Sequence, residues 1–172
     1  MPLVGLFNAY NALAAIALCK ELEIKDIDKH IASFKVAFGR SEVKELMGKR
    51  TLIQLIKNPI GANEVLKTVD KDSNLLIIIN DNYADGRDVS WLWDAEFEEV
   101  NNNRREIVVS GIRAYDMALR LKYAGVKKIK IINDIEKAVE YTGRTADNNI
   151  TILPTYTALL KLNRMRILKT CY

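Results

Sequence analysis

The sequence predicts an α/β fold, a mainly parallel sheet with flanking helices, preceded by a short helical piece. Three observations carry this. Strand-like and helix-like segments alternate from Ser41 onward at intervals of about 25 residues, the rhythm of strand–helix–strand units with right-handed crossovers. Leu75 to Ile79 is apolar at consecutive positions, as in a strand covered on both faces. The chain has 172 residues, 49% of them hydrophobic and 28% charged. At that size a chain hides roughly 70% of its unfolded surface, enough for one sizeable core.

Taken in order, Leu6, Tyr10, Leu13, Ala14, Ala17 and Leu18 recur at helical spacing, with Asn8 expected as N-cap. Asp26 to Phe38 reads as a second helix carrying Ile27, Ile31, Phe34 and Phe38, broken by Gly39-Arg40, where a domain boundary is expected. Such a short helical pair cannot bury both its faces and must pack on something else. Glu42 to Leu46 and Arg50 to Ile56 predict a hairpin turned at Met47-Gly48-Lys49. Asn58 as cap and Pro59 at the first helical position open a helix expected to reach about Asp70. Leu75 to Asn80 is the central strand and Glu106 to Ser110 the next. A helix with Ala114, Met117, Ala118, Leu121 and Ala124 on one side follows, closed by Gly125. Lys127 to Ile132 is a strand. Asn133 is expected to cap a helix over Asp134 to Tyr141 that Gly143 ends. Ile150 to Leu153 is the last strand, and Thr155 to Lys169 the last helix.

Composition excludes several classes. The apolar content rules out disorder, and no apolar run approaches the roughly 20 residues of a membrane span. The N-terminus lacks a basic segment and cleavage site, so a cytoplasmic protein is expected. The net charge is +4. Lys161, Arg164, Arg166 and Lys169 supply all of it, because no acid follows Thr155. No broad basic face results, and nucleic-acid binding is not expected. The last helix could lie on an anionic membrane surface, giving peripheral contact, although core packing with a solvated basic face is the simpler reading. Cys19 and Cys171 fit no metal or disulfide spacing, and no metal site is expected. The eight glycines form neither a dinucleotide-binding nor a P-loop fingerprint. His30, the one histidine, reads as a surface or packing residue, and Cys19 as a buried one. No Ser/His/Asp or Cys/His triad can be assembled without these residues, so the chain is poorly equipped for catalysis by itself.

The chemically dense segment is Asn80 to Asp94, at the carboxyl end of the central strand, the edge where open α/β sheets bind ligands. Asp81, Asp85, Asp88 and Asp94 are four like charges within fourteen residues, which repel and raise one another's pKa unless offset. Arg87, backbone N–H groups, a cation or a partner's basic group are the candidates. The plain alternative is an Asx-rich turn followed by tryptophans used as core filler. Lys57-Asn58-Pro59 and Ser110-Gly111-Ile112-Arg113 are strand-to-helix turns at the same edge, suited either to anions or to ordinary capping.

Several strings carry a resemblance. GLFNAYNALAA (5–15) is similar to the end of the central domain of Mur ligases, and GRSE (39–42) to its junction with their C-terminal domain. KNPIGANEVL (57–66), NDNYADGRDVSWLWD (80–94), SGIRAYDMALRLKYAG (110–125) and LPTYTALL (153–160) resemble the C-terminal domain of the MurT family. Its members are the Mur-ligase-like subunits of lipid II isoglutaminyl synthase. The resemblance implies a Rossmann-like fold, with 1–38 a helical remnant of the central domain and 39–172 the C-terminal-like α/β domain.

It also implies a cell-wall ligase that amidates the α-carboxyl of D-glutamate in the stem peptide of lipid II. ATP with Mg activates that carboxyl as an acyl-phosphate, and ammonia comes from a GatD-like glutaminase subunit. The family supplies an aspartate to the glutaminase's Cys–His pair. Asp85 and Asp88, then Asp81, are the candidates here. By the same resemblance Arg40, Lys57, Asn58, Asn82 and Arg113 are candidates for nucleotide or substrate binding, and Trp91, Trp93 and Asp94 for the partner interface. A full member carries its P-loop, most of its central domain and a cysteine-rich zinc insertion ahead of the part matched here. The chain alone is therefore expected neither to bind ATP tightly nor to amidate, acting at the inner face of the cell membrane only as part of the enzyme. Two other readings stand beside this: a non-catalytic glutaminase-docking module, and a small-molecule-binding α/β domain.

Overall fold

The computed structural model describes residues 6–33, 41–101, 105–147 and 149–170. Its elements in chain order are α1 (Leu6–Glu21), α2 (Ile27–Ala32), β1 (Glu42–Leu46), β2 (Lys49–Ile53), α3 (Pro59–Leu66), β3 (Asn74–Ile78), β4 (Ile107–Ser110), α4 (Ala114–Tyr123), β5 (Ile129–Ile131), α5 (Ile135–Thr145), β6 (Ile150–Pro154), α6 (Tyr156–Arg164) and β7 (Leu168–Thr170). Three short 3-10 turns, 83–85, 90–93 and 97–100, fill the stretch between β3 and β4. The strands form one sheet in the order β5-β4-β3-β6-β2-β1-β7. β5, β4, β3, β6 and β2 run parallel, and β1 is antiparallel to both β2 and β7. The predicted α/β class is the observed one.

β3 shows why the apolar run had to be central. Leu75, Ile77 and Ile79 join one core cluster with Phe97, Met117 and Leu121. Leu76 and Ile78 join the other, with Val139, Ile152, Leu159 and Leu162. Successive side chains point to opposite faces, so a strand covered on both sides needs apolar residues at every position. Burying each stabilises the fold by roughly 1.5–3 kcal/mol before the entropy of ordering is set against it.

The hairpin turns at Met47 (φ 51°) and Gly48 (φ 80°). Two consecutive left-handed residues match the twist of the flanking strands, and they restrict the loop to two residues. Asn58 caps α3 as expected, its Oδ1 accepting from Gly61 N at 2.8 Å.

Other expectations are corrected. Asn8 lies inside α1 and is buried, so it does not cap that helix. β2 stops at Ile53, although Gln54 N and Ile56 N still donate to Ile152 and Pro154 carbonyls. α3 ends at Leu66, short of Asp70. The cap of α5 is Asp134, whose side chain accepts from Lys137 N, rather than Asn133.

Gly143 does not end α5; it sits within it, where a Cβ would stand 3.0 Å from Met47 Sδ and 3.1 Å from Leu46 Cγ. It is there for the close approach of helix to hairpin, a use that sequence pattern cannot distinguish from a terminator.

The last helix ends at Arg164, and the chain returns as β7 along the edge of β1. Leu168, buried in the second core cluster, draws it there and covers an otherwise open strand edge. The four cations of the C-terminal stretch therefore do not share a helix face: Lys161 and Arg164 are on α6, Arg166 in the turn and Lys169 on β7. Cys19 is half-buried and not enclosed. Phe34, Phe38, the Gly39-Arg40 boundary and Cys171 lie outside the described residues. Among the described residues no helix is long and apolar enough to cross a membrane.

Enlarging Gly143 tests the helix–hairpin contact. Gly143→Val should lower the unfolding free energy by about 1–3 kcal/mol, since Leu46 and Met47 must move to admit the branched side chain. Gly143→Ala should cost less, because better helix propensity offsets part of the strain. A urea midpoint unchanged in Gly143→Val would contradict the packing.

Candidate functional site

The parallel strands place their carboxyl ends side by side, and the side chains there form one polar network. Asn80, continuing β3, is its centre and is buried. Its backbone N–H donates to Thr155 Oγ1 at 3.0 Å, and its Nδ2 to Thr157 Oγ1 at 3.0 Å. Its Oδ1 accepts from Ile112 N at 3.1 Å. One residue thereby ties the ends of β3, β4 and β6 together. Gly111 makes this possible: at φ 92°, a Cβ would fall 2.5 Å from the Ile79 carbonyl oxygen and 2.8 Å from Asn80 Oδ1. Only glycine fits.

The three candidate aspartates have separate surroundings. Asp85 faces the N-terminus of α6. Its Oδ1 accepts from Thr157 N at 2.8 Å and its Oδ2 from Thr157 Oγ1 at 2.6 Å and Asn82 N at 3.1 Å. Thr155, the formal cap residue, makes no side-chain capping bond, so Asp85 caps the helix from another segment. A carboxylate suits that position, where the helix presents unpaired N–H groups and a partial positive charge. Asn82 closes the arrangement through Nδ2 to Thr157 Oγ1 at 2.9 Å.

Asp81 is half-buried and accepts twice from Arg113 on its Oδ2, from Nε at 2.8 Å and Nη2 at 2.7 Å. Arg113 also lies 3.7 Å from Asp116. Donating to the Asp81 carboxylate, above all, raises the Arg113 pKa. Asp88 is exposed, its two oxygens accepting from Ser90 N at 2.7 Å and Ser90 Oγ at 3.0 Å. Those two donors hold its carboxyl below the ordinary range.

The repulsion among these acids is thus offset locally, by Arg113, by backbone N–H groups and by hydroxyls. Arg87 is not used for it: its guanidinium lies over the Tyr83 ring, 4.9 Å from the centroid.

The tryptophans part company. Trp91 is half-buried and packs against the first core cluster, as filler. Trp93 is 50% exposed and meets Tyr123 edge-to-face with ring centroids 5.5 Å apart. Asp94, beside it, is exposed. What fixes this stretch to α4 is Arg120, buried, donating to the carbonyls of Leu92 (2.9 Å) and Ala95 (2.6 Å) and in a fork to both oxygens of Glu98. The guanidinium holds the Glu98 carboxyl below its ordinary range.

Lys57 is exposed, and the Asn58 carboxamide is committed to capping. Arg40 lies outside the described residues. Among the described residues no three metal-ligating side chains gather. The Arg113 guanidinium is paired with Asp81. Sequence reading missed Thr155, Thr157 and Arg120 as parts of this edge. The Thr-x-Thr after the last parallel strand was the signal available for the first two; nothing in periodicity marks an arginine on a helix's buried side.

The family model described as MurT ligase C-terminal matches residues 55–159. The MurT subunit of lipid II isoglutaminyl synthase (glutamine-hydrolyzing) from Streptococcus pneumoniae R6 is 35% identical over 169 residues, 94% of this chain and 38% of the relative. The subunit of that name from Staphylococcus aureus COL is 39% identical over 168 residues, 92% and 38%. The chain therefore spans 38% of the length of these curated relatives. Among solved structures, UDP-N-acetylmuramate-alanine ligase MurC from Thermotoga maritima superposes with a TM-score of 0.62 at 17% identity, covering 94% of this chain and 38% of that one. A pseudomurein peptide ligase type C from Methanothermus fervidus gives 0.63 at 21%, covering 93% and 35%. These two show the fold alone.

Replacing Arg120 should release the segment 90–98 from α4. Arg120→Met is expected to cost about 2–4 kcal/mol, because two buried carbonyls lose their donor. Chemical denaturation reads this, and a loss below about 0.5 kcal/mol would contradict the anchoring role.

Proposed function

This chain belongs to the MurT ligase C-terminal family, and from that premise we propose that it is the C-terminal part of a lipid II isoglutaminyl synthase subunit. In this reading 39–172 is the C-terminal domain and 1–38 the end of the central domain. The complete enzyme amidates the α-carboxyl of D-glutamate in the peptidoglycan stem peptide, at the inner face of the cell membrane. ATP and Mg are handled by the remainder of the full-length ligase. Ammonia comes from a glutaminase subunit that carries a Cys–His pair.

This chain's contribution is a carboxylate in trans. It accepts a hydrogen bond from the glutaminase imidazole, orients the ring and stabilises its protonated form, which favours the Cys thiolate. Asp88 is assigned that role by the observation that separates the three candidates. Its carboxylate is exposed, while Asp85 is spent on the N-terminus of α6 and Asp81 on Arg113. Ser90 fixes the orientation of Asp88 and keeps it ionised, yet each oxygen retains a lone pair for an incoming N–H. Asp94 and Trp93 lie on the approach; Lys57, Asn82 and Arg113 remain the substrate-side candidates. A docking module without a catalytic contribution is the competing reading, and Trp93 at the surface favours it as much.

Glutamine hydrolysis by the purified glutaminase, with and without the chain, tests the assignment. The wild-type chain should raise the rate and Asp88→Asn should abolish the rise by at least about 100-fold, with binding retained. Asp85→Asn should instead lower stability by about 1–2 kcal/mol through the lost helix cap. If Asp88→Asn activates as well as wild type, the trans-carboxylate role fails and docking alone stands.

The pH dependence follows from Ser90. Because its two donors lower the Asp88 pKa, the carboxylate stays ionised as pH falls into the ordinary carboxylate range, and it imposes no acid limb above that range. Ser90→Ala removes one donor, raises that pKa and should move any acid limb upward. A limb that stays in place would show that Asp88 is not the group being read.

A further inference from the structure

Helix α4 carries an exposed apolar stripe. Tyr115, Leu119 and Tyr123, at i, i+4 and i+8, are 65%, 47% and 73% exposed. Their side chains point away from the face that buries Met117 and Leu121. Trp93 extends the stripe through its edge contact with Tyr123. Ile112, in the turn entering α4, is 58% exposed. These five large side chains thus present on the order of 600 Å² of aromatic and aliphatic surface, at the upper end of what a monomer normally leaves in water. Aromatic enrichment of this kind is the composition of an interface centre.

From this we infer that the α4 stripe is the apolar centre of the docking surface for the glutaminase subunit. The inference rests on the function proposed above and adds the surface to it. Two observations choose that occupant over a second copy of the chain.

The first is charge. Between Asn80 and Asn101 there are seven carboxylates and one cation, Arg87, in a chain whose net charge is +4. Arg113 and Arg120 reach in to pair with Asp81 and Glu98, but Asp88, Asp94, Glu96 and Glu99 remain exposed. A two-fold pairing of stripe on stripe would bring these acidic rims face to face, which is repulsive. A different protein with a basic rim around an apolar centre fits.

The second is linkage to Asp88. Arg120, on α4, holds the carbonyls of Leu92 and Ala95, so the helix that carries the stripe also fixes the segment that begins at Asp88 and Ser90. A partner seated on the stripe meets that segment as one rigid piece. A standard interface takes about 800 Å² from each side. The stripe supplies the greater part, and the acidic rim supplies the rest.

The test is isothermal titration of the full chain with the purified glutaminase subunit at low and at moderate salt, for wild type, Leu119→Glu, Tyr123→Ala and Asp88→Asn. Wild type should bind with an affinity that falls as salt rises. Leu119→Glu and Tyr123→Ala should each raise Kd by at least about 30-fold. Asp88→Asn, with the stripe intact, should lose less affinity than either stripe variant while failing to activate. Both stripe side chains face solvent, so the unfolding midpoints should not change. If Leu119→Glu does lower its midpoint, the Tyr123→Ala value decides.

Wild-type binding that both stripe variants retain would overturn this inference and leave the proposed function standing. No binding by the wild-type chain would overturn both. Self-association by sedimentation that the stripe variants abolish would assign the stripe to a second copy and likewise overturn the inference.

Discussion

A loop with seven acids and one base must be held at the carboxyl edge of a sheet, and the N-terminus of α6 is what holds it. Asp85 takes the Thr157 N–H and hydroxyl, and Thr157 in turn accepts from the carboxamides of Asn80 and Asn82. The arrangement satisfies a helix end that has no cap of its own and fixes a like-charged segment by the same bonds. Asn80 carries that constraint across the sheet, through Thr155 on one side and Ile112 on the other. The positive φ of Gly111 is a consequence, since the two strand ends approach too closely for a side chain.

With Asp85 and Asp81 committed, Asp88 is the one of these three aspartates that faces outward. Asp88 is fixed by the adjacent Ser90 and not by the body of the domain, so its position depends on how firmly 90–98 is anchored. Arg120 provides the anchor from beneath, at a site where the guanidinium is buried and all three of its acceptor groups belong to that one stretch. The committed aspartates and the exposed one thus differ in what they face, although they are identical in the sequence and only a few residues apart.

The fold was legible where chemistry is local. The run Leu75 to Ile79, the Met47-Gly48 turn and the Asn58-Pro59 helix start each report their structure through a short-range rule. Gly143 and the stretch from Met165 to Thr170 were misread for the opposite reason. Gly143 answers to Leu46 and Met47, nearly a hundred positions away, and β7 answers to the free edge of β1. At the candidate site, the resemblance carried by 80–94 and its position at the sheet edge were readable. The division of labour among Asp81, Asp85 and Asp88 was not, because it is decided by Arg113, in the turn before α4, and by Thr157, in α6.

The most direct test of a carboxylate acting across the subunit boundary is the rate at which a glutamine-analogue alkylating agent labels the glutaminase cysteine. That rate follows thiolate formation and excludes every later step. Adding the wild-type chain should accelerate labelling, and adding Asp88→Asn at saturating concentration should not. Equal acceleration by the two chains, or none by the wild type, would contradict the account.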